Sequence, residues 1–496
     1  MKLKHLLKGL QGCEVKGSRE IEITGIASDS RTVAPGNLFL AKKGLVQEGG
    51  QFIQQALEAG AVAIVTDIYD PFIKETQVIC LEASAVEAAL AAKFWRHPSK
   101  ELFVVGITGT KGKTTTSYLA QHLLDQLGKT PGLISTVETI VRENRVSSTM
   151  TTHDAITNQK LLRDMVGKGC KSVCLEVSSH GLAQDRVGGI DFDVGIFTNL
   201  FPDHLDYHQT IENYASVKRT LFEKTTERAI LNADSSWGAY MAENCKVPLL
   251  TFGIDAAADL QASQIQMSPT GLQFEATYQG KSAKFYSRLI GDFNVSNLLG
   301  VIALGVHLGI ALEEISTHLS SFQSVPGRLE SVPNDRGFSL FVDYAHVGEA
   351  LDNVLKTLRK IASKRVIVVF GCGGNRDPAR RIGMAKAAEK WADLAIVTND
   401  NPRREDQNSI FQTILSGFEN PGRAILEPDR KKAIELAVGM ARREDIVLIA
   451  GKGHEKNQIF AHQTVPFDDV AVALEALQTV SIANCGQFCD SDPFIT

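Results

Sequence analysis

The sequence predicts an α/β protein of three domains. Its 496 residues exceed what one hydrophobic core usually supports, so several domains are expected. From residue 102 onward, short apolar strands alternate with helical stretches, which is typical of parallel sheets. A turn-rich stretch near residue 324 indicates a further boundary. We expect domains over residues 1–98, 99–323 and 324–480, followed by a loose tail over 481–496.

Composition excludes several classes of function. A hydrophobic fraction of 44% and a net charge of −5, without a dense basic block, give no reason to expect a nucleic-acid partner. No run approaches the roughly 20 apolar residues of a membrane-spanning helix, so no membrane insertion is expected. The eight cysteines are scattered and lack the paired spacing of a zinc site. We therefore expect reduced thiols in a cytoplasmic protein.

The first domain is expected to mix short strands with helices. β-like runs lie at residues 21–24, 37–41 and 61–66, with helical stretches between them. This part of the chain ends near residues 97–100, just before a new apolar strand begins.

A glycine-rich loop follows the apolar strand that ends at Ile107 and opens a helical stretch. It reads Gly109-Thr-Lys-Gly-Lys113-Thr-Thr-Thr116. Glycines let backbone amides turn toward a polyphosphate, Lys113 can reach the β/γ oxygens and Thr114 can hold Mg²⁺. The strict motif would need glycine in place of Ile107, which leaves an ordinary glycine-rich turn as the alternative. We expect a nucleoside triphosphate at this loop.

Polar side chains after the next apolar strands are candidates for a magnesium site. Glu176 ends a strand where a carboxylate can serve the Mg²⁺ of a triphosphate, although taken alone it could face solvent. His204 and His208 stand four residues apart, which on a helix would suggest zinc. Pro202 favours a loop instead, and His204 better suits a second magnesium ligand. Lys218, taken alone, is interpreted as a solvated surface lysine.

Three strands of the last domain each run into a polar or glycine-rich loop. Ligands of open α/β sheets bind at the carboxyl ends of strands, so these loops should converge. The loops carry Arg376, Asn401, Arg403 and Glu455. Arginine presents a planar fork to a carboxylate, asparagine both donates and accepts, and glutamate can pair with an ammonium. Together they indicate an amino-acid site, although singly each could be a surface residue.

A series of motifs occurs in a fixed order along the chain. They are Gly109-Thr-Lys-Gly-Lys-Thr-Thr115, Glu176-Val-Ser-Ser-His-Gly-Leu182, Asn199-Leu-Phe-Pro-Asp-His-Leu-Asp-Tyr-His208, Gly291-Asp-Phe-Asn-Val-Ser-Asn-Leu298, Pro326-Gly-Arg-Leu-Glu330 and Asp343-Tyr-Ala-His346. The series resembles the Mur ligase family, ATP-dependent amide-bond synthetases of peptidoglycan assembly. Asp400-Asn-Pro-Arg403 with Gly451-Lys-Gly-His-Glu455 resembles the members that add meso-diaminopimelate rather than lysine. The resemblance covers about residues 20–478.

The resemblance implies an architecture and a role for each matching residue. The implied fold is a central P-loop ATPase domain between a uridine-binding N-terminal α/β domain and a C-terminal Rossmann-like domain, in a monomer. The implied catalytic residues are Lys113, Glu176, His204 and Lys218. The implied Mg²⁺ ligands are Thr114, Glu176, His204 and Lys218, the last carbamylated by CO₂. The implied ATP contacts are Gly109, Thr110, Lys111, Gly112, Lys113, Thr114, Thr115, Asn297, Arg328, Asp343 and His346. The implied contacts to UDP-N-acetylmuramoyl-L-alanyl-D-glutamate are Ser30, Thr151, Thr152, Ser178, Gln184 and Arg186. The implied diaminopimelate contacts are Arg376, Asp400, Asn401, Pro402, Arg403, Gly451 and Glu455.

Some positions depart from the family pattern. Met150 stands where asparagine is usual, and His153 where proline or glycine is common. Val347 and Gly348 replace a Thr-Pro pair, and the uridine loop Leu45-Val-Gln47 replaces a His-Gln-Ala form. These departures concern individual substrate contacts and leave the phosphate and metal ligands unchanged.

The implied reaction joins diaminopimelate to the D-glutamyl carboxylate of the UDP-muramoyl dipeptide, with ATP as co-substrate and Mg²⁺ as cofactor. One alternative is the same ligase adding L-lysine, which Arg403 disfavours because lysine lacks the distal carboxylate. A second is a ligase that adds glutamate to a folate, which the uridine-type first domain disfavours. A third is a nucleotide-gated binding protein without ligase activity, which Lys113, Glu176 and Lys218 disfavour.

Overall fold

The computed structural model describes residues 1–42, 49–81 and 83–479. The uridine loop 45–47 and the tail 481–496 lie outside the described residues. None of the described helices is long and apolar enough to cross a membrane. The chain forms two compact units. The first comprises Met1–Gln261, Thr277–Lys281 and Ser296–Ile315, and the second comprises Ala262–Ala276, Ser282–Val295 and Ser316–Thr496.

The N-terminal part of the first unit is built on a five-stranded sheet. Its strands are β1 (Cys13–Lys16), β2 (Gly25–Ala27), β3 (Asn37–Leu40), β4 (Ala63–Thr66) and β5 (Thr76–Cys80), and its helices are α1 (Leu3–Leu7), α2 (Ile53–Glu58) and α3 (Ala83–Phe94). The order is β1-β5-β4-β3-β2, with β1 antiparallel and the other strands parallel. Because alternate residues of a strand face opposite sides, Leu38 and Leu40 share one core and Phe39 belongs to another.

Two cysteines of this sheet form a disulfide, which corrects the expectation of reduced thiols throughout. Cys13 and Cys80 stand opposite each other in the antiparallel β1–β5 pair, with Cα atoms 4.5 Å apart. They are 67 positions apart in the chain, so the sequence does not reveal their pairing. The free cysteines of the described chain are Cys170, Cys174, Cys245 and Cys372.

The central part of the first unit is a mainly parallel sheet around the glycine-rich loop. Its strands are β6 (Phe103–Thr108), β7 (Pro131–Ile134), β8 (Glu138–Val141), β9 (Asn144–Ser147), β10 (Ser172–Glu176), β11 (Phe192–Phe197), β12 (Thr225–Asn232), β13 (Leu249–Gly253) and β14 (Leu260–Ser268). Its helices are α4 (Lys113–Gln126), α5 (Ala155–Gly167), α6 (Ser179–Ala183), α7 (Leu205–His208), α8 (Ile211–Glu223) and α9 (Gly238–Ala242). The order β14-β13-β12-β11-β6-β10-β7-β8-β9 places β6 between β10 and β11. The strands β15 (Gly271–Tyr278) and β16 (Lys281–Ser287) and the helices α10 (Phe293–His307) and α11 (Leu312–Ser320) follow.

The second unit contains a six-stranded sheet covered on both faces by helices. Its strands are β17 (Glu330–Ser331), β18 (Ser339–Asp343), β19 (Val366–Phe370), β20 (Leu394–Val397), β21 (Ala424–Leu426) and β22 (Ile446–Ala450), and a separate hairpin pairs β23 (Asn457–Ile459) with β24 (Thr464–Pro466). Its helices are α12 (Gly348–Ile361), α13 (Ala379–Trp391), α14 (Gln407–Leu415), α15 (Arg430–Met440) and α16 (Asp469–Thr479).

The strand order of this sheet positions its loops. The order is β17-β18-β22-β19-β20-β21, parallel except for β17. Apolar residues of α12, α13 and α14 share one core, and those of α15 and α16 share the other. The carboxyl ends of β22, β19 and β20 are therefore neighbours, and the loops that follow them leave the sheet at one edge.

Candidate active site

The glycine-rich loop has the geometry expected of a phosphate-binding loop. It connects the end of β6 to Lys113, the first residue of α4. Gly109 has φ +150°, and a Cβ there would lie 3.0 Å from the carbonyl oxygen of Asn199. Glycine is therefore needed where the Thr110 amide donates to that oxygen at 2.9 Å. Lys113 Nζ donates to the carbonyl oxygens of Gly109 and Thr110, both at 2.9 Å, so the ammonium is held over the loop.

Asn297 lies against this loop within the first unit. Its Oδ1 accepts a hydrogen bond from Thr116 Oγ1 at 3.4 Å. Gly112 has φ +86°, and a Cβ at this position would clash with Asn297 Oδ1. Glycine thus permits the close approach of α10 to the start of α4.

Glu176 and Thr114 meet beside the loop. Thr114 Oγ1 donates to Glu176 Oε2 at 3.1 Å, and Glu176 is fully buried at the end of β10. The Thr136 amide donates to Glu176 Oε1 at 2.9 Å, and the Thr136 hydroxyl lies 3.1 Å from Oε2. The same hydroxyl lies 3.0 Å from Thr151 Oγ1. Oxygen atoms of this kind are the ligands that Mg²⁺ prefers, and the burial of Glu176 rules out the solvent-facing interpretation.

Lys218 is buried, which contradicts its interpretation as a solvated surface lysine. It lies on α8 with 1% of its surface exposed. Its Nζ donates to the Gly109 carbonyl oxygen at 2.8 Å and lies 4.6 Å from the centre of the Tyr214 ring. Burial, and after it the charge of Lys113, hold the pKa of Lys218 well below its usual value. The side chain thus reaches the phosphate-binding loop in surroundings that favour the neutral amine over the ammonium.

His204 and His208 occupy different environments. His204 precedes α7 with φ +54°, is half exposed, and its ring centre lies 4.9 Å from that of His180. His208 is buried, and its Nε2 lies 3.0 Å from Ser179 Oγ. In the described chain no group of three or more His, Cys, Asp or Glu side chains is arranged to hold a metal ion by itself. Because His204 is half exposed and His208 is buried, His204 is the more accessible of the two histidines.

Four predicted substrate contacts, Thr152, Ser178, Gln184 and Arg186, form a connected group near the carboxyl end of β10. Thr152 Oγ1 accepts a hydrogen bond from the Ser178 amide at 3.0 Å. Arg186 donates to the Thr152 carbonyl oxygen at 2.9 Å and to Gln184 Oε1 at 2.7 Å. These bonds link the end of β10 to the turn after α6. A substrate bound along this edge would meet the four residues together.

Another predicted substrate contact, Ser30, lies at the first sheet, where its Oγ donates to Gln55 Oε1 at 2.8 Å. The departures Met150 and His153 flank the Thr151–Thr152 pair. Met150 is partly exposed, whereas burial lowers the pKa of His153.

The resemblance assigns three residues of the second unit to ATP. Arg328 precedes β17, Asp343 ends β18 and His346 follows β18. Asp343 is buried and accepts backbone hydrogen bonds of 2.7 and 2.8 Å, and its burial raises the pKa of the carboxyl group. The Arg328 guanidinium lies 5.2 Å from the centre of the Tyr344 ring. His346 is exposed, and its Nδ1 donates to the Tyr344 carbonyl oxygen at 2.8 Å. The three residues are thus grouped around Tyr344.

Of the departures at Val347 and Gly348, the structure explains the glycine. Gly348 begins α12, and a Cβ there would lie 2.7 Å from the backbone of Gly383 on α13. Two helices approach closely at these glycines, so a larger residue at 348 would force them apart.

The three strand-end loops of the second unit converge on one pocket, as expected from the strand order. The cavity measures about 130 Å³. Its lining includes the predicted residues Arg376, Asp400, Asn401, Arg403, Gly451 and Glu455. It also includes Tyr344, His346, Cys372, Gly373, Asp377, Arg380 and Arg381. Pro402 belongs to the same loop but does not line the cavity.

The pocket is rich in groups of both charges. Asn401 Nδ2 donates to Glu455 Oε2 at 2.9 Å. Arg403 adopts φ +54° and donates from Nη1 to the Gly374 carbonyl oxygen at 3.0 Å. Burial raises the pKa of Asp400, whose Oδ2 has no hydrogen-bond partner. Such a lining suits a small zwitterion better than an apolar ligand.

The sequence analysis assigned no role to three buried cations around this pocket. Lys452 and Arg430 are fully buried, and Arg381 is almost so. Arg381 Nη2 donates to Glu405 Oε2 at 2.7 Å and lines the pocket. Lys452 lies inside the predicted motif 451–455, so the motif could have pointed to it as a site residue. For the two arginines the sequence contains no comparable signal.

Comparison with known proteins identifies the family. The model of the Mur ligase middle domain matches residues 107–305, that of the Mur ligase glutamate ligase domain residues 327–453, and that of the Mur ligase family catalytic domain residues 22–95. The chain is 41% identical over 488 residues to the UDP-N-acetylmuramoyl-L-alanyl-D-glutamate--2,6-diaminopimelate ligase of Chlamydia caviae, covering 97% of this chain and all of that one. The chain belongs to the Mur ligase family.

Other relatives support the same family assignment. The ligase of the same name from Geobacillus thermodenitrificans is 40% identical, covering 96% of this chain and 99% of the relative. A solved structure of such a ligase has a TM-score of 0.72 and 31% identity, covering 96% and 99% of the two chains. The folylpolyglutamate synthase of Mycobacterium tuberculosis shares only the fold, with a TM-score of 0.60 and 17% identity over 74% of this chain and 92% of that one. The family resemblance and the α/β fold class are thereby confirmed, whereas the exact domain boundaries remain a prediction.

Proposed function

We propose that this Mur ligase joins an amine of meso-diaminopimelate to the D-glutamyl carboxylate of UDP-N-acetylmuramoyl-L-alanyl-D-glutamate, while ATP becomes ADP and phosphate. The observation that carries the proposal is the pocket in which Arg403, Asn401 and Glu455 line one cavity. Relatives support it as well, because proteins about 40% identical over nearly the whole chain are named diaminopimelate ligases.

The acyl donor must be activated before an amine can attack it. A carboxylate is a poor acyl donor in water, so it first takes the γ-phosphoryl group of ATP and becomes an acyl phosphate. Lys113, held over the loop, stabilises the charge that develops on the transferred group, and positioning supplies much of the remaining rate enhancement. The amine then attacks the acyl carbon, and phosphate leaves.

The residues beside the loop fit a magnesium ion. Thr114 and the buried Glu176 offer oxygen ligands, and His204 and a carbamylated Lys218 would complete the set. Bound Mg²⁺ would supply positive charge to the phosphate oxygens. Formation of the carbamate requires a neutral amine, and the lowered pKa of Lys218 favours that form. The amine nitrogen attacks CO₂, loses a proton and becomes an anionic carbamate.

Specificity for the amino acid resides in the second unit. Diaminopimelate carries a distal carboxylate where lysine has only an ammonium group. The Arg403 guanidinium pairs with that carboxylate and repels the lysine head group. Arg376 adds positive charge in the same cavity, and Glu455 offers a partner for an ammonium group.

The remaining predicted contacts have distinct roles in the proposal. Thr152, Ser178, Gln184 and Arg186, with Thr151 beside them, bind the muramoyl dipeptide, and Ser30 binds the uridine end. Asn297, Arg328, Asp343 and His346 bind ATP. A monomer acting in the cytoplasm, without a nucleic-acid partner, remains the expectation from the sequence.

Phosphate release from ATP tests the proposal. We expect release only when the UDP-muramoyl dipeptide and diaminopimelate are both present. Replacing the dipeptide by a reduced folate and diaminopimelate by glutamate should give no release. Release with the folate pair, or binding of ATP without any substrate-dependent turnover, would support one of the alternatives instead.

A further inference from the structure

Lys452 is a buried cation directly behind two residues that line the amino-acid pocket, Asn401 and Glu455. Its side chain is fully buried in the loop after β22. The ammonium donates to Asn401 Oδ1 at 3.1 Å and to Glu455 Oε2 at 3.2 Å. A buried charge is costly unless it is paired and hydrogen-bonded, so these partners are part of the reason that the lysine can lie there.

The hydrogen bonds of Lys452 determine the orientation of the Asn401 amide. An ammonium group can only donate, so the atom of Asn401 that faces it must be the oxygen. The Ile459 amide donates to the same Oδ1 at 3.0 Å. With two donors on its oxygen, the amide must turn its NH₂ group toward Glu455 Oε2, 2.9 Å away.

The Lys452 ammonium also restrains the position of the Glu455 carboxylate. Glu455 Oε2 accepts from both Lys452 and Asn401, which restrains the carboxylate from two directions. Asp400, the buried carboxylate next to Asn401, is also influenced by the Lys452 charge, which lowers the pKa of Asp400 against the larger raising effect of burial. One cation thus contacts two residues of the pocket wall, Asn401 and Glu455, and acts electrostatically on a third, Asp400.

We propose that Lys452 is a positioning residue for the amino-acid acceptor, acting through Asn401 and Glu455. The inference rests on the proposed function, because it assumes that the pocket binds the amino acid. Without the ammonium, the Asn401 oxygen keeps only the Ile459 amide as a donor, and Glu455 loses its charged partner. The Asn401 amide and the Glu455 carboxylate would then be held less firmly in one orientation. Binding of the amino acid would weaken, while the phosphate-binding loop stays unaffected.

The test compares Lys452→Met with a control on the same loop. Lys452→Met keeps the length and apolar stem of the side chain but removes every donor. We expect the KM for diaminopimelate to rise about tenfold or more, the size typical of losing a charged hydrogen bond. The KM for ATP and for the UDP-muramoyl dipeptide should change less than about twofold. Lys456→Met is the control, since Lys456 is exposed and pairs with Asp468 at 2.6 Å; it should leave all three constants unchanged.

A conservative variant separates positioning from stability. Lys452→Gln retains a donor for Asn401 Oδ1, so its KM for diaminopimelate should lie between those of the wild type and Lys452→Met. Equal rises in all three KM values, or loss of folding in both variants, would overturn the inference by assigning Lys452 a purely structural role. If the wild type itself released no phosphate with diaminopimelate, the proposed function would fail first, and the two failures are thus distinguishable.

Discussion

Lys218 donates a hydrogen bond to the carbonyl oxygen of Gly109 at 2.8 Å, at the first glycine of the phosphate-binding loop. Lys113 donates to the same oxygen at 2.9 Å. Two lysines from different helices therefore meet at one atom, and their mutual repulsion helps to lower the pKa of Lys218. The contact joins α8 to the loop. It places the Lys218 amine, which carbamylation would make anionic, beside the loop where the proposed ATP phosphates would bind.

Replacing Lys218 by alanine should abolish ligase activity. Short carboxylates such as acetate or formate should restore part of it, because they can occupy the volume and charge of the missing carbamate. Phosphate release with and without the added carboxylate measures the effect. Lys224→Ala is the control, since Lys224 follows the same helix and pairs with Asp185 at 3.0 Å near the surface. Undiminished activity of Lys218→Ala would show that no carbamate is needed.

Replacing Arg403 by alanine should raise the KM for diaminopimelate by about tenfold or more and that for ATP little. The reason is that a charge-assisted contact to the distal carboxylate is lost, while the phosphate-binding loop keeps its structure. Steady-state kinetics with each substrate varied in turn give the two constants. Arg404→Ala, at the exposed neighbouring position, should behave like the wild type. Equal losses for both substrates would contradict the role of Arg403.

Breaking the buried ion pair between Arg430 and Asp469 should destabilise the second unit. Both side chains are fully buried and 2.7 Å apart, and Arg430 also donates to the Asn399 and Ala450 carbonyl oxygens at the ends of β20 and β22. Asp469→Asn leaves a buried charge uncompensated, at a cost of about 3–5 kcal/mol. Urea unfolding measures the change. The exposed pair of Lys431 and Glu475 is the control, and Lys431→Ala should leave the urea midpoint almost unchanged.

His454 should make stability depend on pH. Burial lowers the pKa of His454 to about 4, against 6.5 for a free histidine. Between these values the unfolded chain binds a proton that the folded chain does not, so stability from this residue falls as pH drops from about 6.5 to about 4. Unfolding midpoints across this range should fall less steeply for His454→Phe than for the wild type. The same substitution at the exposed His462 is the control, and parallel curves for wild type and His454→Phe would refute the prediction.

The sequence predicted those parts of the site that depend on local order along the chain. Strand, glycine-rich loop and helix follow one another at Gly109, and parallel strands bring the loops with Asn401 and Glu455 to one edge. The burial of Lys218 and Lys452 could not be predicted from residue type or spacing, because it depends on which helix or strand packs over each lysine. The Cys13–Cys80 pair likewise depends on the register of two strands distant in sequence. The family resemblance supplied a role for Lys218 but none for Lys452 or Arg430.

The most direct test of the central claim is a comparison of amino-acid substrates. Phosphate release should be measured with saturating ATP and UDP-muramoyl dipeptide, while either meso-diaminopimelate or L-lysine is varied. Because we propose that Arg403 pairs with the distal carboxylate, we expect kcat/KM for diaminopimelate to exceed that for lysine by on the order of 10²-fold or more. Equal efficiency with the two amino acids, or a preference for lysine, would contradict the account.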